Sequence, residues 1–396
     1  MEYVIDHAPE CTLEYSGLCL SAAEEPASVD DALEEPAWRD AMEAEMESIR
    51  ANNTWEFATL PSGHRAIGLE RGDDSEFLLV GVYADDLIIT GTSTNAIEGF
   101  KTQMQELFQM TDLGLLSYYL GIEVKQDHDM ITVCQSGYAA KILEDAGMSD
   151  CNPSLTPMEH RLEVVKNIGE AVDATRYRSI IGSLRYLVNT RPDIAYAVGV
   201  ASRFMEAPGK QHWAIIRQIL RYVRGTLNYG CTYKAGEGTV LTGFSDNDHA
   251  GDLTDRKSTT GLVFFMGPSV ITWSSQKQKI AALSSCEAEY IAAATAATQA
   301  VWLRGLVSEM LGTEKQKVQL KIDNKSAIEL SKNPVHYERS KHIDLRYHYI
   351  RECVEEIKVE VEHVRTEDQL ANILTKSLGR AKFTELQCRL GFIQVK

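Results

Sequence analysis

No two of the eight cysteines form a C-x-x-C pair, and their scattered spacing indicates neither a zinc site nor a disulfide framework. A reducing, intracellular setting is the default, cytoplasmic or nuclear. No apolar run approaches the ~20 residues of a membrane span. The Ala-rich 291–300 stretch is amphipathic at best. The N-terminus has no basic flank followed by an apolar block, so neither a signal peptide nor a membrane partner is expected. Positive charge is also scarce. Forty Lys and Arg stand against 57 Asp and Glu, a net charge of −17. That balance alone argues against a nucleic-acid partner, which usually requires a basic footprint. The excess acid is partly local to residues 24–47, and basic residues gather at Arg217–Arg224 and Arg339–Arg351.

With 396 residues, 44% of them hydrophobic, the chain can bury two or three domain cores. Its most informative stretch is Leu241–Ile291. An apolar run ends near Asp246, and two more follow at Gly261–Met266 and Val270–Trp273, separated by the turn Gly267-Pro268-Ser269. Ser284 with Glu287 three residues later is a capping-box pattern opening a helix, with Glu289 in its first turns. A helix packed across such strands would bring Asp246 and Glu289 to one cleft. Converging carboxylates repel unless a cation lies between them, which suits Mg²⁺.

Gly243-Phe244-Ser245-Asp246-Asn247-Asp248, Arg256–Gly261, Trp273-Ser274-Ser275, Lys277-Gln278 and Leu283–Tyr290 together resemble the ribonuclease H domain of copia-type LTR retrotransposon polyproteins. Further matches extend the resemblance to about nine-tenths of the chain. Tyr83-Ala84-Asp85-Asp86 between two apolar strands resembles the metal-binding hairpin of reverse transcriptases. The resemblance implies an α/β (α+β) chain: a truncated reverse transcriptase palm and thumb, then a ribonuclease H-like mixed sheet with flanking helices. The expected division is a leader segment 1–67, a partial palm 68–160, thumb or connection helices 161–236 and a ribonuclease H-like domain 237–396, which should fold on its own.

The leader pattern is helical across 28–52, followed by a strand at Thr54–Leu60. After Ile67-Gly68 the resemblance jumps within a few residues to the chain just before the Tyr-Ala-Asp-Asp motif. An internal deletion, or a gene-model error of the same appearance, is expected near Leu69–Gly72. Helices are expected at Asn95–Phe108, Tyr138–Ala146, Tyr177–Leu187, Asp193–Phe204 and Gln211–Leu220, with a hairpin around 118–135. Arg217, Arg221 and Arg224 share one helix face, either a phosphate track or a solvated face. In the last domain a long helix 285–311 closes at Gly312. A strand Val318–Asp323, a short helix Ser326–Leu330, a helix 342–356, a strand Val359–Val364 and closing helices Asp368–Ser377 and Ala381–Leu390 follow.

By resemblance, Asp246, Glu289 and Asp323 are metal ligands of a two-metal hydrolysis of RNA in an RNA–DNA hybrid, with Mg²⁺ as the metal and Mn²⁺ as a substitute. Glu287 is assigned to the cap, and Asp248 and Asp252 to the loop. The fourth family ligand is the aspartate of an Ala-Asp-Ile-x-Thr-Lys motif. Here the residues are Ala371-Asn372-Ile373-Leu374-Thr375-Lys376, so Asn372 is a degenerate ligand. Asp368 is one helical turn away as a replacement, but a turn of roughly 5.4 Å is more than metal geometry forgives. His249 stands where the family usually carries Trp. Asp85 and Asp86 are the polymerase metal ligands, but the first palm aspartate they require falls in the missing segment, and Asp73 and Asp74 lie on the adjacent loop.

Three readings compete. The first is a Pol remnant with an inactive polymerase and weak or absent hybrid cleavage, whose partners are nucleic acid and other Pol copies. The second is an inert or co-opted nucleic-acid-binding module. The third is an integrase-type reaction on the same fold, disfavoured because no zinc-binding His/Cys pairs precede the domain. Primer extension on an RNA template is expected to be absent in Mg²⁺ or Mn²⁺. Nucleotide incorporation that Asp85→Asn abolishes would show that another acid fills the missing place.

Overall fold

The computed structural model describes residues 77–395 except 84–85, 109, 163, 166–169, 237, 333–342 and 344, with helical Arg39 and Glu43 besides. Apart from those two, the leader helix lies outside the described residues, as do the strand at 54–60, the discontinuity at 67–72 and Asp85. The chain forms two compact units, Met1–Gly114 and Leu115–Lys396.

In the first unit, β1 (Leu78–Tyr83) and β2 (Asp86–Gly91) pair antiparallel from Leu78↔Gly91 to Tyr83↔Asp86. This is the hairpin that the two apolar runs with a short acidic connection imply. Helix α1 (Thr94–Leu107) follows, and the Ser93 hydroxyl caps it by accepting from the Ala96 amide at 3.3 Å.

The second unit holds two five-stranded sheets. The first is antiparallel in the order β12-β6-β5-β4-β3, built from β3 (Tyr118–Tyr119), β4 (Ile122–Asp127), β5 (Met130–Cys134), β6 (Tyr229–Lys234) and β12 (Phe392–Gln394). Helices α2 (Ser136–Asp145), α3 (Ala174–Leu187), α4 (Ala195–Ser202) and α5 (Lys210–Gly225) share its core. The expected helix from Asp193 begins as a 3₁₀ turn at Pro192–Ile194, because proline has no amide to donate and suits a first turn.

The second sheet has the order β11-β10-β7-β8-β9. Strands β7 (Leu241–Asn247), β8 (Thr259–Met266) and β9 (Ser269–Lys277) form an antiparallel meander, while β10 (Val318–Ile322) and β11 (Val359–His363) pair parallel. Helix α6 (Ser285–Leu311) lies on one face. Its Ala293, Ala296, Ala297 and Ala300 are fully buried in the core formed with Leu320, Ile322 and Val361. Small side chains let the helix approach the strands closely. Gly312 ends α6 with φ +64°, a left-handed cap that suits glycine. Helices α7 (Lys325–Lys332) and α8 (Tyr349–Glu355) connect β10 to β11, with a 3₁₀ turn at Leu345–His348 before α8.

Two expectations need correcting. The closing helix across 368–377 does not form. Its place is taken by 3₁₀ turns at Thr366–Asp368 and Leu370–Leu374, before α9 (Arg380–Arg389). Gln369 between them adopts φ −70°, ψ 106° and caps Ala371 through its own side chain, which breaks the α-helical hydrogen-bond ladder. In addition, the boundary expected at 236/237 is crossed by packing. Leu370, Ala371, Ile373, Leu374, Phe383, Leu386 and Phe392 share one core with Ile181, Leu184, Ile216 and Ile219. Strand β12 pairs with β6, which the sequence reading did not foresee.

A buried polar network reinforces this junction. The Arg191 guanidinium grips Asp193 with two bonds of 3.0 and 2.9 Å and lies 5.0 Å from the Phe392 ring centre. The Tyr222 hydroxyl donates to Asp193 at 2.5 Å, and Gln387 of α9 donates to Tyr222 at 2.8 Å. A buried ion pair is tolerated only when its hydrogen bonds are satisfied, as here. A 237–396 piece loses β6 and this network. It is expected to melt at least about 10 °C below a 115–396 piece by circular dichroism, or to lack a cooperative transition. Equal melting of the two would contradict the shared core.

Candidate metal centre

Strand register brings the first two acids together. β10 runs parallel to β7 with Ile322 opposite Ser245. The next residues along are Asp323 and Asp246, at the C-terminal ends of neighbouring strands about 4.8 Å apart. Glu289 comes from the first turns of α6. Oxygens of Asp246, Glu289 and Asp323 all lie within 4.8 Å of one another. Asp246 is 1% exposed and Glu289 6%. Glu289 Oε2 has no hydrogen-bond partner.

Burial, opposed by Lys376 and Thr375, pushes the Asp246 carboxyl up to about 6. Burial first, then the charges of Asp246 and Asp323, push Glu289 up to about 9. An unpartnered, buried oxygen beside two like-charged groups fits a divalent cation. All three donors are carboxylate oxygens, the hard set that Mg²⁺, Ca²⁺ and Mn²⁺ prefer.

Around the triad, several side chains fix the geometry. Ser284 caps α6 by accepting from the Glu287 amide at 3.1 Å, and Glu287 Oε2 accepts from the Leu283 amide at 2.8 Å. Glu287 therefore serves the helix start, as its spacing implies. Gln278 donates to Thr260 Oγ1 and to the Ala288 carbonyl, both at 3.0 Å, fastening the start of α6 to β8. Asp248 accepts from the Thr259 amide at 2.5 Å and its hydroxyl at 2.8 Å. Asp252 pairs with Lys277 at 2.6 Å and Arg203 at 3.3 Å. Both acids close the loop after β7. His249 is exposed, with φ +35°, and its amide donates to Asn247 Oδ1 at 2.7 Å.

The C-terminal segment covers the opposite side of Asp246. Gln369, fully buried, donates to the Ser245 carbonyl at 2.8 Å and reaches the Lys321 carbonyl at 3.4 Å, bridging the ends of β7 and β10. Gly261, the β8 partner of Asp246, lets this segment lie against the sheet. A Cβ there would come within 2.6 Å of Thr375 Cγ2 and 3.0 Å of the Ala371 carbonyl. The Thr375 hydroxyl donates to Asp246 Oδ2, and Lys376 Nζ contacts both Asp246 oxygens at 3.1 and 3.0 Å. Sequence reasoning gave Thr375 and Lys376 no role, although both lie in the motif read for Asn372.

Asn372 is buried beside the triad. Its carbonyl oxygen accepts from Lys376 at 2.7 Å, and its amide donates to the Thr366 carbonyl at 2.8 Å. Asp368 stands apart, half-buried and paired with Arg389 at 3.2 Å, outside the acidic group found among the described residues. Asp86 opens β2 and is exposed, and Asp85 is outside the described residues. On α5, Arg221 Nε donates to the Asn152 carbonyl at 2.8 Å and Arg224 Nε to the Ser149 carbonyl at 2.6 Å, while Arg217 is exposed. Two of the three arginines thus also tie down the 149–152 loop.

The raised carboxyls give a pH dependence of stability in the absence of metal. Folded Glu289 holds its proton to about pH 9, whereas an unfolded one releases it near its ordinary 4.5. Between those values the folded state binds more protons. Stability is therefore full below about pH 4.5 and is lost as pH rises toward 9, by at most about 1.4 kcal/mol per pH unit for one proton. In EDTA the melting temperature is expected to fall from about pH 5 to about pH 8, and Glu289→Gln is expected to flatten that fall. An unchanged slope in the variant would contradict the assignment.

Residues 69–160 match the family described as reverse transcriptase (RNA-dependent DNA polymerase). The chain is 38% identical over 324 residues to the retrovirus-related Pol polyprotein from transposon TNT 1-94 of Nicotiana tabacum, covering 79% of this chain and 24% of that protein. It is 37% identical over 221 residues to an uncharacterized mitochondrial protein of Arabidopsis thaliana, covering 56% of this chain and 92% of that one. Among solved structures, the N-terminal RNase H domain of rv2228c from Mycobacterium tuberculosis, fused to maltose-binding protein, aligns over 38% of this chain and 98% of that chain. The identity is 14% and the TM-score 0.24, so the strand order, not that overlap, carries the fold. The chain spans about a quarter of the length of the Pol polyproteins it matches. No described helix is long and apolar enough to cross a membrane. On these similarities the chain belongs to the family of copia-type, retrovirus-related transposon Pol polyproteins.

Proposed function

We propose that the chain is a remnant of a Pol polyprotein that retains a Mg²⁺-dependent ribonuclease H-type site of low activity and no longer synthesises DNA. The observation that carries this reading is the convergence of Asp246, Glu289 and Asp323 around the unpartnered Glu289 oxygen. Asp246, Glu289 and Asp323 would hold the metal, with Mn²⁺ as a substitute. When bound, it supplies water activation and charge stabilisation at the scissile phosphate of an RNA–DNA hybrid.

The protein's own residues do the positioning. The β7–β10 register holds two carboxylates side by side, and Gln369 locks the strand ends. Thr375 and Lys376 orient Asp246, while the cap at Ser284 and the Gln278 bridge set the first turns of α6 that carry Glu289. The arginines of α5 are proposed as phosphate contacts: the bonds of Arg221 and Arg224 to the 149–152 loop use Nε alone, leaving the terminal guanidinium groups for phosphate, and Arg217 is exposed. Loss of polymerase activity rests on the missing first palm aspartate.

Asn372 brings a neutral amide where the resemblance requires a carboxylate. Each ~1.4 kcal/mol of lost transition-state stabilisation is tenfold in rate. Single-turnover cleavage of a labelled hybrid in Mg²⁺ is expected to be slow, to rise at least about tenfold in Asn372→Asp, and to vanish in Asp246→Asn in either background. A parent as fast as Asn372→Asp would show that the fourth carboxylate is not what limits the site. Cleavage that survives Asp246→Asn would remove the triad from the chemistry.

A further inference from the structure

We propose that the ammonium of Lys376 is a built-in cation of the acidic site, and that the site therefore takes one divalent ion where the family resemblance implies two. The proposal rests on the metal site argued above and specifies its occupancy.

Lys376 Nζ lies 3.1 and 3.0 Å from the two Asp246 oxygens and 2.7 Å from Asn372 Oδ1. The amide end of Asn372 is fixed on the Thr366 carbonyl at 2.8 Å, which turns its oxygen toward the lysine. Asn372 thus serves as a ligand of the ammonium. A carboxylate has about four lone-pair positions. Asp246 Oδ2 already accepts the Thr375 hydroxyl, and Lys376 contacts both oxygens. Little of Asp246 is left for two further ions.

Charge gives the same answer. The triad supplies three carboxylates. One divalent ion plus the ammonium sets three positive charges against three negative ones. Two divalent ions plus the ammonium would set five against three in a place where Asp246 and Glu289 are nearly inaccessible to water. Buried unbalanced charge is strongly disfavoured. Glu289 Oε2, buried and without a hydrogen-bond partner, marks the side where the single ion is held.

The test is Mn²⁺ binding to the full chain, followed by calorimetry and by the electron paramagnetic resonance of free Mn²⁺. It is made in an Asp85→Asn, Asp86→Asn background so that the polymerase motif adds nothing. Sites are counted as those that Asp246→Asn removes. The expected result is one Mn²⁺ for the parent and for Lys376→Arg, and two for Lys376→Met. Two in the parent would overturn the proposal while leaving the metal site intact, and this arm does not depend on any lysine variant folding. One in a folded Lys376→Met would also overturn it. No Mn²⁺ bound by either parent or Lys376→Met would overturn the metal-site reading itself.

Discussion

Everything at this site depends on three carboxylates being held together with two of them, Asp246 and Glu289, buried away from the water that would relieve their repulsion. Parallel pairing of β7 with β10 sets Asp246 beside Asp323, and α6 brings Glu289 onto the same point. Burial raises the first of these to about 6 and the last to about 9. A fold that selected only for stability would place apolar groups there, since replacing buried charge by apolar side chains is often neutral or better. The strain is consistent with a cation as the missing partner, and the rest of the unit holds the geometry against that repulsion.

The C-terminal segment does much of this holding. Gln369 pins the ends of β7 and β10, Gly261 admits the segment against β8, and Thr375 and Lys376 reach Asp246. The same segment continues into α9 and β12, which share a core with α3 and α5 and are joined to them through Arg191, Asp193, Tyr222 and Gln387. The acidic site is thereby tied to the helices that precede its sheet.

Much of this was legible in the residues. Short apolar runs marked β7, β8 and β9, and alternation marked β10. The Ser284–Glu287 spacing marked the start of α6 and Gly312 its end, and the three acids fell at strand or helix ends where convergence is cheap to arrange. What was not legible came from tertiary contacts that leave weak local signals. Strand β6 follows directly on a helix, and Tyr229–Lys234 lacks strong alternation. The 366–374 segment has helical composition, but the side chain of Gln369 competes for the backbone, so it forms 3₁₀ turns. Asp368, one turn away on an ideal helix, is directed to Arg389 once that helix is absent. The role of Lys376 depends on a side-chain oxygen that sequence alone cannot orient.

The most direct measurement is the anomalous scattering of Mn²⁺ in crystals of the full chain grown or soaked at a pH where Asp246 is ionised, above about 6. The account predicts one peak within ligand distance of Asp246, Glu289 and Asp323, with Lys376 still on Asp246. Crystals that show Mn²⁺ elsewhere but none between these three carboxylates would contradict it.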